Sequence, residues 1–323
     1  MMSRLHARVG TLRQLEILLA VHDTGTVTAA AEALHLTQPT VSMQLHKLAD
    51  AMGIALYAQH GRKLRFTDAG LAAVASARRV MEEFEHLDMT LADLRGLKAG
   101  TLRLSVVTTA KYFVPHLLGP FCERYPGIEV SFHVGNREQI IERLEAGLDD
   151  FYVFSHVPGG LSLESSAFLD NPLVAIAAEG HALSRQPALS LEDIAREPFL
   201  MRESGSGTRH AIEQYLQQQG QTLNVKMTVE SNEAIRHSVM AGLGISILSA
   251  HTLNLGGWVG LSPLRVEGLP IVTQWHLVRP SRKRLSVVAG AFQQFMEEQG
   301  RAVLADFVED AGRFVAASGA GIK

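Results

Sequence analysis

The first part of the chain carries apolar residues at every third or fourth position, a spacing that predicts short amphipathic helices. Leucines at this spacing predict a first helix over residues 11–22, and Gly25 ends that segment. Thr26 is expected to cap a second, alanine-rich helix, and Thr37 to cap a third. Pro39 is tolerated in the first turn of the third helix, because the amide that proline lacks would be unpaired there. The second and third helices form a pair joined by a tight turn.

The third helix separates apolar from polar side chains. Val41, Leu45 and Leu48 form one stripe that should face a domain core. Short polar groups near a helix N-terminus can reach base edges in DNA, and exposed first-turn amides suit a phosphate. The alternative is an ordinary surface helix in a small bundle. The side chains on the other side, which we expect to face DNA, are Pro39, Thr40, Ser42, Met43, His46 and Lys47.

A basic turn follows the third helix. Residues 53–65 predict a turn and a short hairpin that carries Arg62, Lys63 and Arg65. A basic hairpin beside a reading helix contacts phosphates and positions the helix without reading the bases. The alternative is a solvated surface turn, but the adjacent helix pair favours DNA binding.

Residues from Thr67 onward predict one long helix, because no proline occurs before Gly96. Its apolar positions follow the alternating spacing of a coiled-coil seam. An identical helix from a second chain is the economical partner, which predicts a homodimer and a roughly two-fold symmetric DNA site. The alternative is that this helix packs its seam on its own chain. Gly96 and Gly100, which follow the helix, predict a hinge. The seam positions are Ala73, Ala77, Val80, Phe84, Leu87, Leu91 and Leu94.

Strand and helix patterns alternate from Thr101 onward, which indicates an α/β architecture with two similar lobes and a cleft between them. Ligands in such folds bind at the carboxyl ends of strands, near helix N-termini. The predicted strands are residues 101–107, 128–134, 151–154, 199–201, 226–230 and 245–249. The predicted helices are residues 111–124, 137–146, 207–219 and 233–241.

Candidate ligand residues follow from these positions. Residues 202–209 (R-E-S-G-S-G-T-R) combine flexible glycines, hydroxyls and the start of a helix, which suits a phosphate or a carboxylate. The segment is not a P-loop, because no Gly-Lys-Ser/Thr follows. Purely structural roles stay open, such as helix capping by Ser231 and Asn232. The candidates are Thr108, Thr109, Lys111, Asn136, Arg137, His156, Arg202, Ser204, Ser206, Thr208, Arg209 and Asn232.

Composition narrows the class of protein. The 323 residues give room for about two or three domains. The net charge is -3, but residues 1–66 carry seven Lys/Arg against four Asp/Glu, so that a modest preference for phosphate is confined to this part. The single Cys122 excludes an intrachain disulfide. With no secretory signal or membrane span in the pattern, we expect a cytoplasmic protein without a metal or a bound cofactor.

Residues 11–70 resemble the winged helix-turn-helix of the LysR-type transcriptional regulators. The motifs are T-Q-P-T-V-S-M-Q-L-H-K-L and G-I-A-L-Y-A-Q-H-G-R-K-L-R-F-T-D-A-G. The chain departs from the family pattern at Ala49, where an acidic residue is usual, and at Gln59, where an arginine is usual. DNA affinity would then depend more on Arg62 and Lys63. The resemblance implies base contacts from Gln38, Pro39, Thr40, Ser42 and Met43.

Residues 101–295 resemble the inducer-binding domain of the same family, which has the type 2 periplasmic-binding-protein fold. The motifs T-T-A-K-Y-F-V-P, V-G-N-R-E-Q-I-I, R-E-S-G-S-G-T-R, S-N-E-A-I-R-H-S-V-M-A-G-L-G and V-E-G-L-P-I-V-T-Q-W resemble regulators of Calvin-cycle carbon-fixation operons. This subgroup responds to phosphorylated metabolites and NADPH, which would suit Lys111, Arg202 and Arg209. Ser204 replaces a proline that is usual there, so another metabolic operon with a different small anionic effector is the alternative.

The predicted fold is therefore an N-terminal all-α winged helix-turn-helix with a long linker helix, followed by a C-terminal two-lobed α/β domain. The resemblance implies double-stranded DNA, a second copy of the chain in a dimer or tetramer, and RNA polymerase as partners. The operator, the effector and the sign of regulation are not fixed by the sequence. The predicted domains are residues 1–66 for DNA binding, 67–96 for dimerisation, 97–300 for effector binding and 301–323 as an extension.

Two other classes of protein fit parts of the pattern. An enzyme is the main rival, but the sequence lacks a nucleophile elbow, a Rossmann glycine fingerprint and a histidine pair at metal-ligand spacing. A solute-binding protein for transport would share the C-terminal fold, but that role needs export. The DNA-reading pattern argues against both.

Overall fold

The chain divides into two compact units, Met1–Arg95 and Gly96–Lys323. Each unit has its own hydrophobic core. The predicted wing residue Arg62 and the predicted hinge at Gly96 lie outside the described residues. The computed structural model describes residues 11–60, 63–94, 99–254 and 258–317.

The N-terminal unit is built from helices and one β-hairpin. Its elements are α1 (Leu12–Thr24), α2 (Val27–Ala33), α3 (Gln38–Met52), β1 (Tyr57–His60), β2 (Lys63–Phe66) and α4 (Asp68–Leu94). The hydroxyl of Thr26 accepts a hydrogen bond from the amide of Ala29 and caps α2 as predicted. Thr37 precedes α3, but the expected capping bond is wrong, because its hydroxyl bonds that of Thr40 at 2.8 Å instead.

The core of this unit includes the beginning of the long helix. Val41, Leu45 and Leu48 of α3 are buried as predicted. Ala77 of α4 is buried in the same core and Ala73 packs against it, because α4 lies against α1. The prediction that these two alanines belong to an interchain seam is therefore wrong.

The C-terminal unit is a two-lobed α/β domain. Its strands are β3 (Gly100–Val107), β4 (Ile128–Gly135), β5 (Phe151–Phe154), β6 (Leu163–Ala178), β7 (Phe199–Arg202), β8 (Val225–Val229), β9 (Ser246–Ser249), β10 (Leu261–Pro263) and β11 (Ile271–Pro280). Within the described residues, seven strands form one sheet in the order β10-β6-β11-β5-β3-β4, with β9 also paired to β6. β7 and β8 form a separate parallel pair.

Two long strands connect the lobes. β6 and β11 are antiparallel to each other, and β11 also pairs with β5 of the first lobe while β6 pairs with β9 of the second. The sequence pattern predicts neither strand. The helices are α5 (Val114–Arg124), α6 (Arg137–Glu145), α7 (Leu191–Arg196), α8 (Gly207–Gln218), α9 (Asn232–Met240), α10 (Val287–Val303) and α11 (Ala305–Ala317).

Some boundaries differ from the predicted ones. The helix predicted over residues 111–124 is a 3-10 turn, Thr108–Tyr112, followed by α5. The predicted boundary at residue 300 falls inside α10. α11 then returns to the domain, where Ala311 and Val315 are buried in the core of the second lobe. In the described part of the chain, no helix is both long and apolar enough to cross a membrane.

Candidate functional site

The predicted DNA-reading side chains lie on one open face of α3. Thr40 is half-buried because its hydroxyl is bonded to that of Thr37. His46 Nδ1 lies 3.1 Å from the hydroxyl of Tyr57 on β1, which ties the reading helix to the hairpin. The acidic Asp50 borders this face and would repel phosphate. The exposed residues that line the face are Gln38, Pro39, Ser42, Met43, His46 and Lys47.

The hairpin predicted as the wing is formed by β1 and β2. Tyr57 pairs with Phe66, and Ala58 pairs with the exposed Arg65. The backbone of Lys63 begins β2, but its side chain lies outside the described residues. The hairpin is therefore present where it was predicted.

A stripe of large apolar side chains is exposed along α4. Val80 is 40 % exposed, Phe84 48 %, Leu87 51 % and Leu91 42 %. These residues follow one another at intervals of four, three and four, so they share one face of the helix. Apolar side chains aligned in this way on a surface helix indicate a protein partner.

Seven of the predicted effector residues line one narrow cleft in the C-terminal unit. The cleft lies where β3 ends and where α6 and α8 begin, and its volume is about 10 Å³. Helix N-termini present free amides and a partial positive charge, so their convergence favours an anion. The seven are Thr108, Thr109, Asn136, Arg137, Arg202, Ser206 and Thr208, and Val107, Ser155, Gly207 and Trp275 complete the lining.

The loops around the cleft are held by local hydrogen bonds and by one glycine. Asn136 caps α6 by accepting from the amide of Gln139 at 3.0 Å, and its own amide donates to Gln139 Oε1 at 2.9 Å. Gly205 has φ +87°, and an added Cβ would lie 2.9 Å from Glu138 Oε2. The left-handed backbone conformation favours glycine at Gly205, and an added Cβ would also crowd the side chain of Glu138 on α6.

The two arginines of the cleft differ in their partners. Arg202 is buried and donates to Glu203 from Nε at 2.8 Å and from Nη2 at 3.0 Å, and its Nη1 donates to Asn232 Oδ1. Its charge is therefore already neutralised. Arg137 has a buried Nε without a hydrogen-bond partner and makes no ion pair among the described residues. Burial lowers the pKa of Arg137, so its guanidinium would be stabilised by an anion.

Two other predicted residues support the cleft without lining it. Asn232 is fully buried, and its Nδ2 donates to Thr109 Oγ1 at 3.2 Å while its Oδ1 accepts from Arg202. Lys111 pairs with Glu233 at 2.9 Å. Burial raises the pKa of Glu233, but hydrogen bonds, first of all from Lys111, lower it to about 2. The prediction that Lys111 lines the ligand site is not met in this structure, because Glu233 holds its ammonium.

The remaining predicted residues lie beside the cleft. Ser204 and Arg209 line an adjacent, more open groove, and Arg209 Nε donates to Glu213 at 2.7 Å. His156 is half-buried, and its ring lies 5.6 Å from that of His210. Burial, His210 and Arg137 lower the pKa of His156. None of these three candidates lines the cleft itself.

Four cleft residues were not among the candidates, namely Val107, Ser155, Gly207 and Trp275, although Gly207 lies in the selected segment 202–209. Ser155 directly follows β5, so the rule that selected His156 could have selected it as well. Trp275 lies on β11, a strand that the pattern did not predict, and no sequence signal placed it at the cleft.

Two family models match the chain. Residues 12–71 match the model described as bacterial regulatory helix-turn-helix protein, lysR family. Residues 95–301 match the LysR substrate binding domain. Together they span most of the described structure, and they confirm the predicted family and fold class.

Similar proteins include named regulators. The chain is 46 % identical over 294 residues to the HTH-type transcriptional activator CmpR of Synechocystis, covering 91 % of this chain and 97 % of that protein. It is 39 % identical over 290 residues to the RuBisCO operon transcriptional regulator of Acidithiobacillus ferrooxidans, covering 90 % of this chain and 94 % of that protein.

Solved structures agree with these matches. The Synechocystis CcmR regulatory domain in complex with 2-PG is 41 % identical, with a TM-score of 0.59, over 63 % of this chain and 96 % of that one. Full-length CbnR complexed with its target DNA shares the fold at 24 % identity, with a TM-score of 0.64, over 89 % of this chain and 99 % of that one. The chain belongs to the LysR family of bacterial helix-turn-helix transcriptional regulators.

Proposed function

We propose that the protein controls genes of carbon fixation in response to a small phosphorylated anion. The anion binds in the cleft of the C-terminal unit, and the reading face of α3 binds a two-fold symmetric operator. The relatives CmpR and the RuBisCO operon regulator support the choice of genes. The regulator of another metabolic operon, with a different small anion, is the second candidate.

The observation that carries the proposal is the unpaired guanidinium of Arg137. It lies among hydroxyls of Thr108, Thr109 and Ser206 at two helix N-termini, an arrangement suited to a phosphate. A relative that is 41 % identical holds 2-PG in its regulatory domain. The cleft, at about 10 Å³, is nearly closed in this structure, so it would have to open less for a small anion than for NADPH.

The assembly that we propose is a dimer formed through the exposed stripe of α4, which can pair into tetramers. Residues 1–66 bind DNA, the later part of α4 joins the two chains, and the C-terminal unit binds the effector. A regulator of this kind, working in the cytoplasm, would contact RNA polymerase at the promoter. Mapping of bound DNA across the genome tests the choice of operon, and binding sites only at unrelated promoters would contradict it.

Calorimetric titration with 2-PG tests the effector site. We expect Arg137→Gln to weaken binding by about 10- to 100-fold, because a hydrogen-bonded charge pair is lost. Arg185→Gln is the matched control, since Arg185 is exposed and does not line the cleft. Equal affinity in Arg137→Gln and in the wild type would remove Arg137 from the site. If no 2-PG binds even to the wild type, the second candidate function is favoured.

A further inference from the structure

A second cavity, of about 730 Å³, lies beneath α11 in the C-terminal unit. It shares no lining residue with the effector cleft. β6 and β11 form one wall, and α11 covers it with Val308, Ala311, Gly312 and Val315. Its volume is typical of sites for organic ligands. α11 lies beyond residues 95–301, the segment that matches the family's effector domain.

Most of the lining is apolar. Phe168 and Pro172 come from β6, and Val272 of β11 and Val308 of α11 are 62 % and 50 % exposed. A cavity of this kind binds the apolar body of a ligand through the hydrophobic effect. No side chain of the described residues occupies the cavity, so its apolar surface is available to a small molecule.

A cation borders this apolar surface. Arg301 of α10 lines the cavity, is exposed, and makes no ion pair or hydrogen bond among the residues that the structure describes. The carboxylate of Asp170, which also lines the cavity, accepts a hydrogen bond from Gln274 Nε2 of the same wall at 3.0 Å. Arg301 is therefore the group that would pair with an anionic ligand.

His251 also lines the cavity, and its ring holds a buried acceptor without a partner. His251 is 1 % exposed, and its Nε2 lies 2.8 Å from the carbonyl oxygen of Asp170. Because a carbonyl only accepts, Nε2 carries the proton, and Nδ1 of the neutral ring is an acceptor. Burial lowers the pKa of His251, which keeps the ring neutral. Nδ1 has no hydrogen-bond partner, although buried polar atoms are normally bonded.

We propose that this cavity is a second ligand site, for an amphipathic organic acid with an apolar body and one anionic group. The anionic group pairs with Arg301, and the body contacts the apolar walls.

The cavity is joined to the effector cleft by aromatic rings. Phe113 is fully buried, and its ring lies 5.6 Å from His251 and 6.1 Å from Phe168, both in the cavity wall. On its other side it lies 5.1 Å from Trp275, which lines the cleft. A ligand in the cavity would thus bias the cleft through Phe113. The effect of the cavity ligand on the cleft rests on the function proposed above, whereas binding of the organic acid in the cavity does not depend on it.

Two fluorescent probes with the same apolar body test the proposal on the full chain. 1-Anilinonaphthalene-8-sulfonate has an anionic group and an N–H donor, and N-phenyl-1-naphthylamine lacks the anionic group. We expect saturable one-site binding of the sulfonate, with the neutral probe weaker by about tenfold or more. Arg301→Gln should weaken the sulfonate by a similar factor and leave the neutral probe unchanged. Equal affinities of both probes, unaffected by Arg301→Gln, would overturn the acid specificity.

Two further variants test the location. An added Cβ at Gly312 meets no atom within 4 Å, so Gly312→Leu should fill the cavity and abolish binding of both probes. Val272→Glu should repel the sulfonate at the cavity edge, and Val259→Glu is the matched control, since Val259 is 73 % exposed and does not line the cavity. Unchanged binding in Gly312→Leu and Val272→Glu would place the probes elsewhere and overturn the proposal.

Two readouts distinguish a ligand in this cavity from one in the effector cleft and from a contact between two chains. Binding of 2-PG should persist in Gly312→Leu, so failure of the effector proposal and failure of the cavity proposal are distinguishable. Loss of sulfonate binding as the protein concentration rises would identify a second copy of the chain as the occupant, and would contradict a small-molecule site.

Discussion

Two histidines beside the effector cleft are held neutral in the free protein. Burial, His210 and Arg137 lower the pKa of His156, and burial together with His156 lowers the pKa of His276. Protonation is therefore disfavoured in the fold, and the free protein should lose stability as the pH falls below about 6.5. An anion beside Arg137 would raise the pKa of His156 again.

Anion binding should consequently take up protons. We expect the affinity for sulfate, which stays doubly charged in this range, to rise as the pH falls from about 7 to about 5. Calorimetry in buffers of different ionisation enthalpy measures the proton uptake. His156→Gln should reduce it, and His22→Gln in the other unit is the control. Affinity that is independent of pH in the wild type would contradict the coupling.

At the scale of single residues, the sequence predicted where the cleft lies better than it predicted which charged side chain is free to bind a ligand there. The rule that ligands bind after strands selected Thr108, Asn136 and Ser206, all of which line the cleft. It could not tell which cation is unpaired, because that depends on side-chain partners in the folded chain. Glu213, four residues after Arg209, was a visible signal of pairing.

At the scale of elements, α4 has two different environments along its length. Its beginning packs in the core of its own unit through Ala77, while Phe84, Leu87 and Leu91 stay exposed. Spacing alone cannot separate these two parts, because both follow one heptad pattern. The burial of the first turns is set by α1, which lies far away in sequence.

The exposed part of α4 predicts a dimer that a single charge should break. Burying a leucine side chain stabilises an interface by about 1.5–3 kcal/mol, and Leu87→Glu removes this contribution from each chain. It also places two carboxylates close together, so we expect dimerisation to weaken by about 100-fold or more. Leu71→Glu is the matched control, because Leu71 is 48 % exposed on the opposite face of the same helix. Sedimentation equilibrium measures the change, and a stable dimer of Leu87→Glu would rule out this interface.

β6 and β11 show why part of the fold escaped prediction. The first half of β6, L-E-S-S-A-F, is mostly exposed, while its second half is buried on both faces in the sheet. No single period describes such a strand, because it passes from the edge of one lobe into the core of the other. Strands within one lobe, such as β3 and β4, have simpler surroundings and were predicted.

At the scale of the whole molecule, effector binding in one unit must change the free energy of DNA binding by the other. An effector changes DNA binding only if it prefers the conformation that binds DNA, or the one that does not. The two lobes share β6 and β11, so closure of the cleft would change the domain as a whole. This effect can be measured as the factor by which 2-PG changes the affinity for DNA.

Reciprocity provides the test of this coupling. If 2-PG changes the affinity for operator DNA by some factor, DNA must change the affinity for 2-PG by the same factor, and couplings of this kind are about 5- to 150-fold. DNA titrations with and without 2-PG, and 2-PG titrations with and without DNA, measure both sides. Arg137→Gln should bind DNA as the wild type does but lose the response, because the anion no longer distinguishes the conformations. Tight 2-PG binding that leaves the DNA affinity and footprint unchanged would show that the cleft does not control the reading heads.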